Sequence, residues 1–262
     1  MHLSSSSFLT ALALVVSSML TTNASAQKAA AIPDNVKQLI VATADDWDSH
    51  RGTMLLFERK SANAPWLPVM FPQPVPVLFG KSGMAWGRGA LPIPMGGSRS
   101  TFKQEGDRRT PAGCFQIGRV YGYAASLPAA SRYPYKQVTK WDAWIDDVKH
   151  PLYNQHFYLA TPERGIPPWF EKARMRLGDF AYAWKLEIRH NSDPPVAGAG
   201  SAIFFHIRRG EDKPTSGCTT MTEANLLKVL QWLVPEAAPH YVVLPKAEYA
   251  RLQGMWKLPK LQ

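Results

Sequence analysis

The 262-residue sequence has only two cysteines, and its 20 acidic residues are outnumbered by 30 lysines and arginines. It contains no internal repeat, no low-complexity tract and none of the C-x-x-C or H-x-x-x-H spacings that zinc sites use. Its 22 prolines argue against a long-helix or coiled-coil protein, because each proline removes a backbone donor. With 45% hydrophobic and 19% charged residues, the composition excludes a disordered chain and fits one globular domain.

A membrane-spanning helix needs about 18 consecutive apolar residues, and the sequence has no such run after its N-terminal segment. The run from Phe8 to Leu20 is shorter than a span, and Ala24-Ser25-Ala26 gives the small-x-small pattern of a cleavage site. We therefore expect residues 1–26 to be a cleaved export signal and the protein to act in the periplasm or cell envelope. An uncleaved anchor is the alternative, since no Lys or Arg precedes the apolar run.

The formal net charge of +10 predicts attraction to polyanions. Export makes nucleic acid an unexpected partner, and no nucleic-acid-binding motif is present. An acidic envelope polymer fits this charge better. Ordinary solubility charge explains it equally well.

The pattern of short apolar segments predicts a mostly β fold with few helices. Helical spacing of leucines after residue 220 predicts one helix, and the pair Thr220 and Glu223 matches a capping box with Thr220 as the N-cap. Residues 164–179 suggest a short basic helix or lid. The predicted strands are 36–42, 52–57, 66–70, 75–79, 183–190, 201–207 and 241–244, with a last helix at 246–253.

A histidine and a cysteine flank one short loop in this pattern. His206 ends an apolar strand, and Ser216-Gly217-Cys218 follows just before the predicted helix. A helix N-terminus would lower the thiol pKa of Cys218, His206 would act as its base, and the Gly217 N–H would help to form an oxyanion hole. Each residue alone is more often structural, but together they favour nucleophilic catalysis.

Two other interpretations of the cysteines stay open. A zinc site would use one cysteine with His190, His206 or His240, although the spacing does not favour it. In an oxidising compartment, Cys114 would be able to form a disulfide with Cys218 and silence the nucleophile.

The motif Thr215-Ser216-Gly217-Cys218, preceded by His206, resembles the Ser/Thr-x-Gly-Cys signature of the YkuD-like L,D-transpeptidase catalytic domain. Residues 106–117 match that family's Gly-x-x-x-Thr-Pro-x-Gly-x-Phe-x-Ile strand. Further segments resemble an exported branch of the family, namely 144–147, 153–154, 190–191 and 200–201. The resemblance covers residues 75–235.

The resemblance implies a β-sandwich with a capped helix after the cysteine, and a single folded unit in which 27–74 supplies a lead-in and first strands to a catalytic domain at 75–262. It implies that Cys218 is the nucleophile and His206 its base, with a backbone carbonyl orienting the histidine and no metal or cofactor. The implied reaction is acyl transfer on peptidoglycan stem peptides, forming 3→3 cross-links. An L,D-carboxypeptidase or amidase with the same nucleophile, or a catalytically silent wall-binding module, is the alternative.

The sequence departs from the family signature around the cysteine. Thr219 follows Cys218 where the family has an aliphatic residue and then Arg, so Arg208 or Arg209 would have to supply that charge. Ser216 stands where the family usually has His. The expected substrate-binding residues are Ser216, Thr219, Arg208, Arg209, Asn191 and Trp144.

Overall fold

The computed structural model describes residues 31–69 and 74–261. The expected export signal, residues 1–26, lies outside these residues. In the described ranges the chain forms thirteen strands and three α-helices. No helix in that part of the chain is long and apolar enough to cross a membrane. The mostly β fold with few helices that the sequence predicts is therefore confirmed.

The elements follow one another along the chain with short helices only between and after the strands. The strands are β1 (Gln38–Ala44), β2 (Arg51–Glu58), β3 (Leu67–Pro68), β4 (Val75–Leu78), β5 (Met84–Trp86), β6 (Thr110–Gly122), β7 (Tyr135–Gln137), β8 (Asp142–Trp144), β9 (His156–Tyr158), β10 (Trp184–Ile188), β11 (Phe204–Ile207), β12 (Thr219–Met221) and β13 (His240–Pro245). The helices are α1 (Phe170–Ala173), α2 (Glu223–Trp232) and α3 (Lys246–Trp256).

Eleven strands form one sheet that closes on itself. Its order is β1-β13-β6-β10-β11-β12-β4-β2-β3, and an additional pairing of β1 with β2, the strand next to the other end, closes the sheet. β5 and β7 pair with β6, while β8 and β9 form a separate hairpin. Closure leaves few unpaired strand edges and encloses the main core.

The longest strand, β6, was not recognised from periodicity. It contains Pro111 and three glycines, which normally weaken or interrupt strands. Its neighbours β13 and β10 supply the ladder on both sides, so tertiary pairing overrides these local preferences. The strands predicted at 36–42, 52–57, 75–79, 183–190, 201–207 and 241–244 correspond to β1, β2, β4, β10, β11 and β13.

The central strands present two different faces. The register places Lys185 of β10 opposite Tyr121 of β6 and opposite His206 of β11. Side chains of directly opposite residues lie on the same face of a sheet. Leu186, the next residue, is opposite Phe205, and both belong to the large buried core. One face therefore builds the core, and the other, which we call the site face, carries Tyr121, Lys185 and His206.

The chain between β7 and β10 covers the site face. A second, smaller cluster forms beneath it from Tyr121, Val138, Trp144, Met175 and Phe204, and Cys218 packs against this cluster. Residues 164–179 contain the four-residue helix α1 and are otherwise irregular, so of the predicted short basic helix or lid only this one turn is helical, and Met175 belongs to the cover.

The start of α2 also differs from the expectation. Its N-cap is Thr222, whose side chain accepts a hydrogen bond from the Asn225 N–H at 3.3 Å. Thr220 lies instead in β12, where it pairs with His206. The run of threonines offers several competing caps, and the pairing of β12 with β11 keeps the first of them extended. Cys218 therefore precedes a strand rather than a helix.

Truncating the core at the central strand should destabilise the whole domain. Phe205 is fully buried and packs on the Tyr241 ring with centroids 4.6 Å apart. We expect Phe205→Ala to lower the free energy of unfolding by about 3–5 kcal/mol, measured by denaturant titration. Leu67→Ala, at a residue that is 57% exposed, is the control and should change it by less than about 0.5 kcal/mol. Equal effects of the two substitutions would contradict this assignment of the core.

Candidate active site

The imidazole of His206 is held in one orientation. Its Nδ1 donates to the Ile207 carbonyl at 2.9 Å, and its ring packs on Tyr182 at a centroid distance of 4.8 Å. The residue is 4% exposed, and this burial lowers the pKa of His206 to about 4. The ring is therefore neutral near pH 7, and because Nδ1 carries the proton, Nε2 has the free lone pair.

Cys218 lies immediately before β12 and close to this histidine. β12 runs parallel to β11 with Thr220 opposite His206, so Cys218, two residues earlier, belongs to the same face. The thiol is half-buried and its Sγ lies 3.5 Å from the Ala202 carbonyl, to which it donates. Sheet pairing thus brings together the two side chains that the sequence singled out.

The thiol is not activated by a helix. Burial raises the pKa of Cys218 to about 11, against smaller lowering effects from the Phe204 N–H and from Lys103 and Lys185. The expected lowering of this pKa by a helix N-terminus was wrong, because β12 separates the cysteine from α2. Positive charge near the thiolate must come from side chains instead.

A tight turn fixes the backbone before the cysteine. The Thr215 hydroxyl donates to the Cys218 carbonyl at 2.6 Å and accepts from the Gly217 N–H at 3.0 Å. Gly217 has a φ of +148°, and a Cβ there would lie 2.9 Å from the Arg109 carbonyl oxygen. The Gly217 N–H is thus engaged inside the turn, and its role in an oxyanion hole stays a prediction. Ser216, at the tip of the turn, is exposed.

Sequence reasoning gave Asn154 no role, yet its buried side chain organises the backbone beside the thiol. Its Oδ1 accepts from the Ala202 N–H at 3.0 Å and from the Trp144 indole N–H at 3.1 Å. Its Nδ2 donates to the carbonyls of His190 and Asn191 at 2.9 and 2.8 Å. Ala202 is the residue whose carbonyl meets the thiol, so Asn154 positions a direct neighbour of the Cys218 Sγ. The only sequence signal was its place in the segment 153–154 that resembles the family.

Two residues between β10 and β11 have structural roles. The His190 Nδ1 accepts from the Arg88 N–H at 3.2 Å and its Nε2 donates to the Ala199 carbonyl at 2.9 Å. The Asn191 amide donates to the carbonyls of Val196 and Gly200 and so closes its own loop. Both side chains are about 1% exposed, and the Asn191 amide closes its loop, while its contact with substrate stays a prediction.

The other expected substrate-binding residues divide into two groups. Trp144 lies in the wall of the site, with its ring 4.8 Å from that of Phe204. Arg209 reaches the site through Tyr182, because its guanidinium lies over that ring at 5.2 Å and also pairs with Asp179.

Thr219 and Arg208 do not join this site. The Thr219 hydroxyl is fully buried and lies 3.0 Å from that of Tyr241 in the core, on the face away from Cys218. The Arg208 guanidinium lies 3.9 Å from Glu211 outside the site. Alternation along β12 explains the first result, because Thr219 and Cys218 point to opposite faces.

Lys185 is a site-face residue that the sequence analysis did not identify. It is 5% exposed, and its ammonium donates to the Met175 carbonyl at 3.1 Å. Lys103, also 5% exposed, forms an ion pair with Asp107 at 2.5 Å, and its Cε lies 3.6 Å from where a Cβ on Gly217 would be. Both buried lysines act to lower the pKa of Cys218.

The two cysteines are on opposite faces of the sheet. Cys114 is fully buried in the main core, where it pairs with Val242, whereas Cys218 packs against the smaller cluster. Both thiols are free, so the structure gives no support to a disulfide between them. For the zinc alternative, residues 31–69 and 74–261 hold no group of three or more His, Cys, Asp or Glu that would bind a metal.

Comparison with known proteins gives one match. The family model for YkuD, the L,D-transpeptidase catalytic domain, matches residues 76–242, which include His206, Cys218 and the strands that carry them. Searches of curated proteins and of solved structures found no significant match.

The separation of the cysteines can be tested by counting and labelling thiols in protein prepared without reductant. We expect two thiols after denaturation, and in the native protein we expect iodoacetamide to modify Cys218 while Cys114 stays unlabelled, as judged by peptide mass spectrometry. A peptide linked through both cysteines would contradict this arrangement.

The role of Asn154 can be tested by two substitutions that separate side chain from backbone. Asn154 has a φ of +58°. Asn154→Gly tolerates that conformation but leaves the Trp144 and Ala202 N–H groups unpaired, so we expect a loss of about 2–5 kcal/mol in the free energy of unfolding. Asn154→Ala should lose about 1 kcal/mol more through backbone strain. Denaturant titration measures both, and a wild-type value for the glycine variant would contradict the proposed network.

Proposed function

The chain belongs to the YkuD family of L,D-transpeptidase catalytic domains, a family of cell-wall enzymes, and we propose that it is an exported cysteine acyltransferase that acts on peptidoglycan stem peptides. The acyl-enzyme forms on Cys218, and the acceptor is an amine of a second stem, which gives a 3→3 cross-link. No cofactor takes part in this chemistry.

One observation carries this proposal: a neutral histidine with a free Nε2 lies on the same sheet face as a half-buried thiol one strand away. The Ile207 carbonyl that accepts from His206 Nδ1 takes the place that a carboxylate has in a Ser-His-Asp triad. A neutral base of this kind suits a thiol, which ionises more easily than a serine hydroxyl.

The first half-reaction forms a thioester. The Cys218 Sγ attacks the carbonyl of the diamino acid at the third stem position, and the thiol proton moves to His206 Nε2. The tetrahedral intermediate then collapses, the bond to the terminal D-Ala nitrogen breaks, and the histidine returns its proton to that nitrogen as D-Ala leaves.

The second half-reaction releases the enzyme. An acceptor amine attacks the thioester carbonyl and gives up a proton to His206 Nε2. The carbon–sulfur bond breaks, the thiolate regains the proton, and an amide is formed. Water in place of the amine would give a tripeptide instead. The chain between β7 and β10 covers the site and limits the access of water, which favours an amine over water as the acyl acceptor.

Localisation follows from the same proposal. Peptidoglycan, the proposed substrate, lies outside the cytoplasm, which agrees with the export signal expected at residues 1–26. The charge of +10 favours association with an acidic envelope polymer near that substrate.

Incubation of the reduced mature protein with disaccharide-tetrapeptide muropeptides tests the reaction. We expect mass spectrometry to show cross-linked dimers that have lost one D-Ala. Cys218→Ala should abolish them, and His206→Gln should slow their formation by about a hundredfold to ten-thousandfold, because the thiol loses its base.

Cys114→Ala is the matched control, because it removes the other cysteine, which lies on the core face, and it should keep the activity. If tripeptide forms without cross-linked dimers, the protein is a carboxypeptidase and not a transpeptidase. If the wild-type protein forms no product, the tetrapeptide is not the donor. If Cys218→Ala forms as much product as the wild type, Cys218 is not the nucleophile.

A further inference from the structure

Lys185 is a buried lysine that has no role in the two half-reactions proposed above. It lies in the middle of β10, directly across the ladder from His206 on one side and Tyr121 on the other. Its ammonium lies 5.5 Å from the centroid of the Tyr182 ring and 5.9 Å from that of Phe204. Tyr182 packs on His206, and Phe204 belongs to the cluster that holds Cys218. The ammonium is thus enclosed by the same side chains that enclose the thiol and the imidazole.

The charge of Lys185 is not neutralised by a direct partner. Its one hydrogen bond is to the Met175 carbonyl, and within residues 31–69 and 74–261 no carboxylate forms an ion pair with it. Asp142, a carboxylate whose charge acts on Lys185, is itself held by Lys136, His156 and Thr139. An uncompensated ammonium in a buried site attracts any negative charge that forms beside it.

The other buried lysine differs in this respect. Lys103 is paired with Asp107 at 2.5 Å, although its charge, like that of Lys185, acts to lower the pKa of Cys218. Arg209 is paired with Asp179 in the same way. Of these three cations, Lys185 is the one without an ion-pair partner in residues 31–69 and 74–261, so its charge is free to pair with a thiolate.

We propose that Lys185 is a positioning residue for the nucleophile, supplying the positive charge that stabilises the Cys218 thiolate where no helix N-terminus does so. This inference rests on the proposed function only in taking Cys218 as the nucleophile. When the thiol S–H bond breaks, its proton goes to solvent or to His206 Nε2, and the thiolate left behind faces the ammonium. No group is oxidised or reduced.

The electrostatics agree in direction with this geometry. Lys185 acts to lower the pKa of Cys218, and negative charge on Cys218 acts to raise the pKa of Lys185. Burial lowers the pKa of Lys185 to about 8. The ammonium is thus present at pH 7 and is lost as the pH rises through about 8. The same ammonium also lowers the pKa of His206, which keeps that ring neutral and ready to accept a proton.

The pH dependence of thiol alkylation tests the proposal without any substrate. Full-length protein is treated with iodoacetamide at a series of pH values, and modification of Cys218 is quantified by peptide mass spectrometry. At pH 7, where the ammonium is present, we expect Cys218 of Lys185→Met to be alkylated about tenfold more slowly than in the wild type, with Lys185→Arg restoring much of the rate. The difference should shrink above about pH 8, where Lys185 loses its charge. Lys246→Met, which removes an exposed lysine charge, is the control and should match the wild type. Superimposable curves for wild type and Lys185→Met would overturn the proposal.

A reciprocal measurement covers the case in which Lys185→Met fails to fold, because coupling between two sites acts equally in both directions. Competitive acetylation of Lys185 with acetic anhydride is followed against pH in the wild type, in Cys218→Asp, which places a carboxylate at this position, and in Cys218→Ala as the uncharged control. We expect the midpoint for Lys185 to rise in Cys218→Asp and to stay near the wild-type value in Cys218→Ala, because the wild-type thiol is uncharged near pH 8. An unchanged midpoint in Cys218→Asp would overturn the proposal. Neither measurement depends on muropeptides, so a failure of the proposed reaction would leave both results interpretable.

Discussion

The site depends on the parallel pairing of β11 with β12. This pairing sets Thr220 opposite His206 and so places Cys218 on the face that carries the imidazole. The intervening residues Phe205 and Thr219 point the opposite way and pack in the main core. Every displacement of the nucleophile relative to its base would therefore disturb the core as well. The geometry of two reacting groups is held by the hydrophobic packing of the whole sheet.

Burial helps His206 to act as a base but makes Cys218 a weaker nucleophile. It lowers the pKa of His206 and keeps the ring neutral, which suits a base, but it raises the pKa of Cys218, which disfavours the nucleophilic thiolate. A site enclosed enough to limit access of water must therefore supply positive charge from within. The Lys185 ammonium, which has no ion-pair partner in the described residues, meets this requirement in our proposal, and Lys103, although paired with Asp107, also acts to lower the pKa of Cys218.

Backbone groups around the thiol are fixed by side-chain amides and hydroxyls rather than by regular structure. Thr215 closes the turn before Cys218, and Asn154 holds Ala202, whose carbonyl meets the thiol. Irregular backbone has no ladder to satisfy its polar groups, so buried side chains must provide the partners. This explains why residues without a chemical role in the reaction have as many hydrogen bonds as those proposed to react.

The sequence by itself determined the strand-rich architecture, the histidine and cysteine pair and the family, because alternation, turn residues and a short motif are local signals. Tertiary structure alone decided what surrounds that pair. Lys185 and Glu187 alternate with Leu186 and Ile188 as solvent-facing residues would, and only the cover over the site face buries the lysine. The N-cap at Thr222 and the core position of Thr219 were likewise decided by pairing with β11, since several threonines fit the local rules equally well. Electrostatics at the thiol depends on distances between segments far apart in the chain, and a linear pattern does not contain those distances.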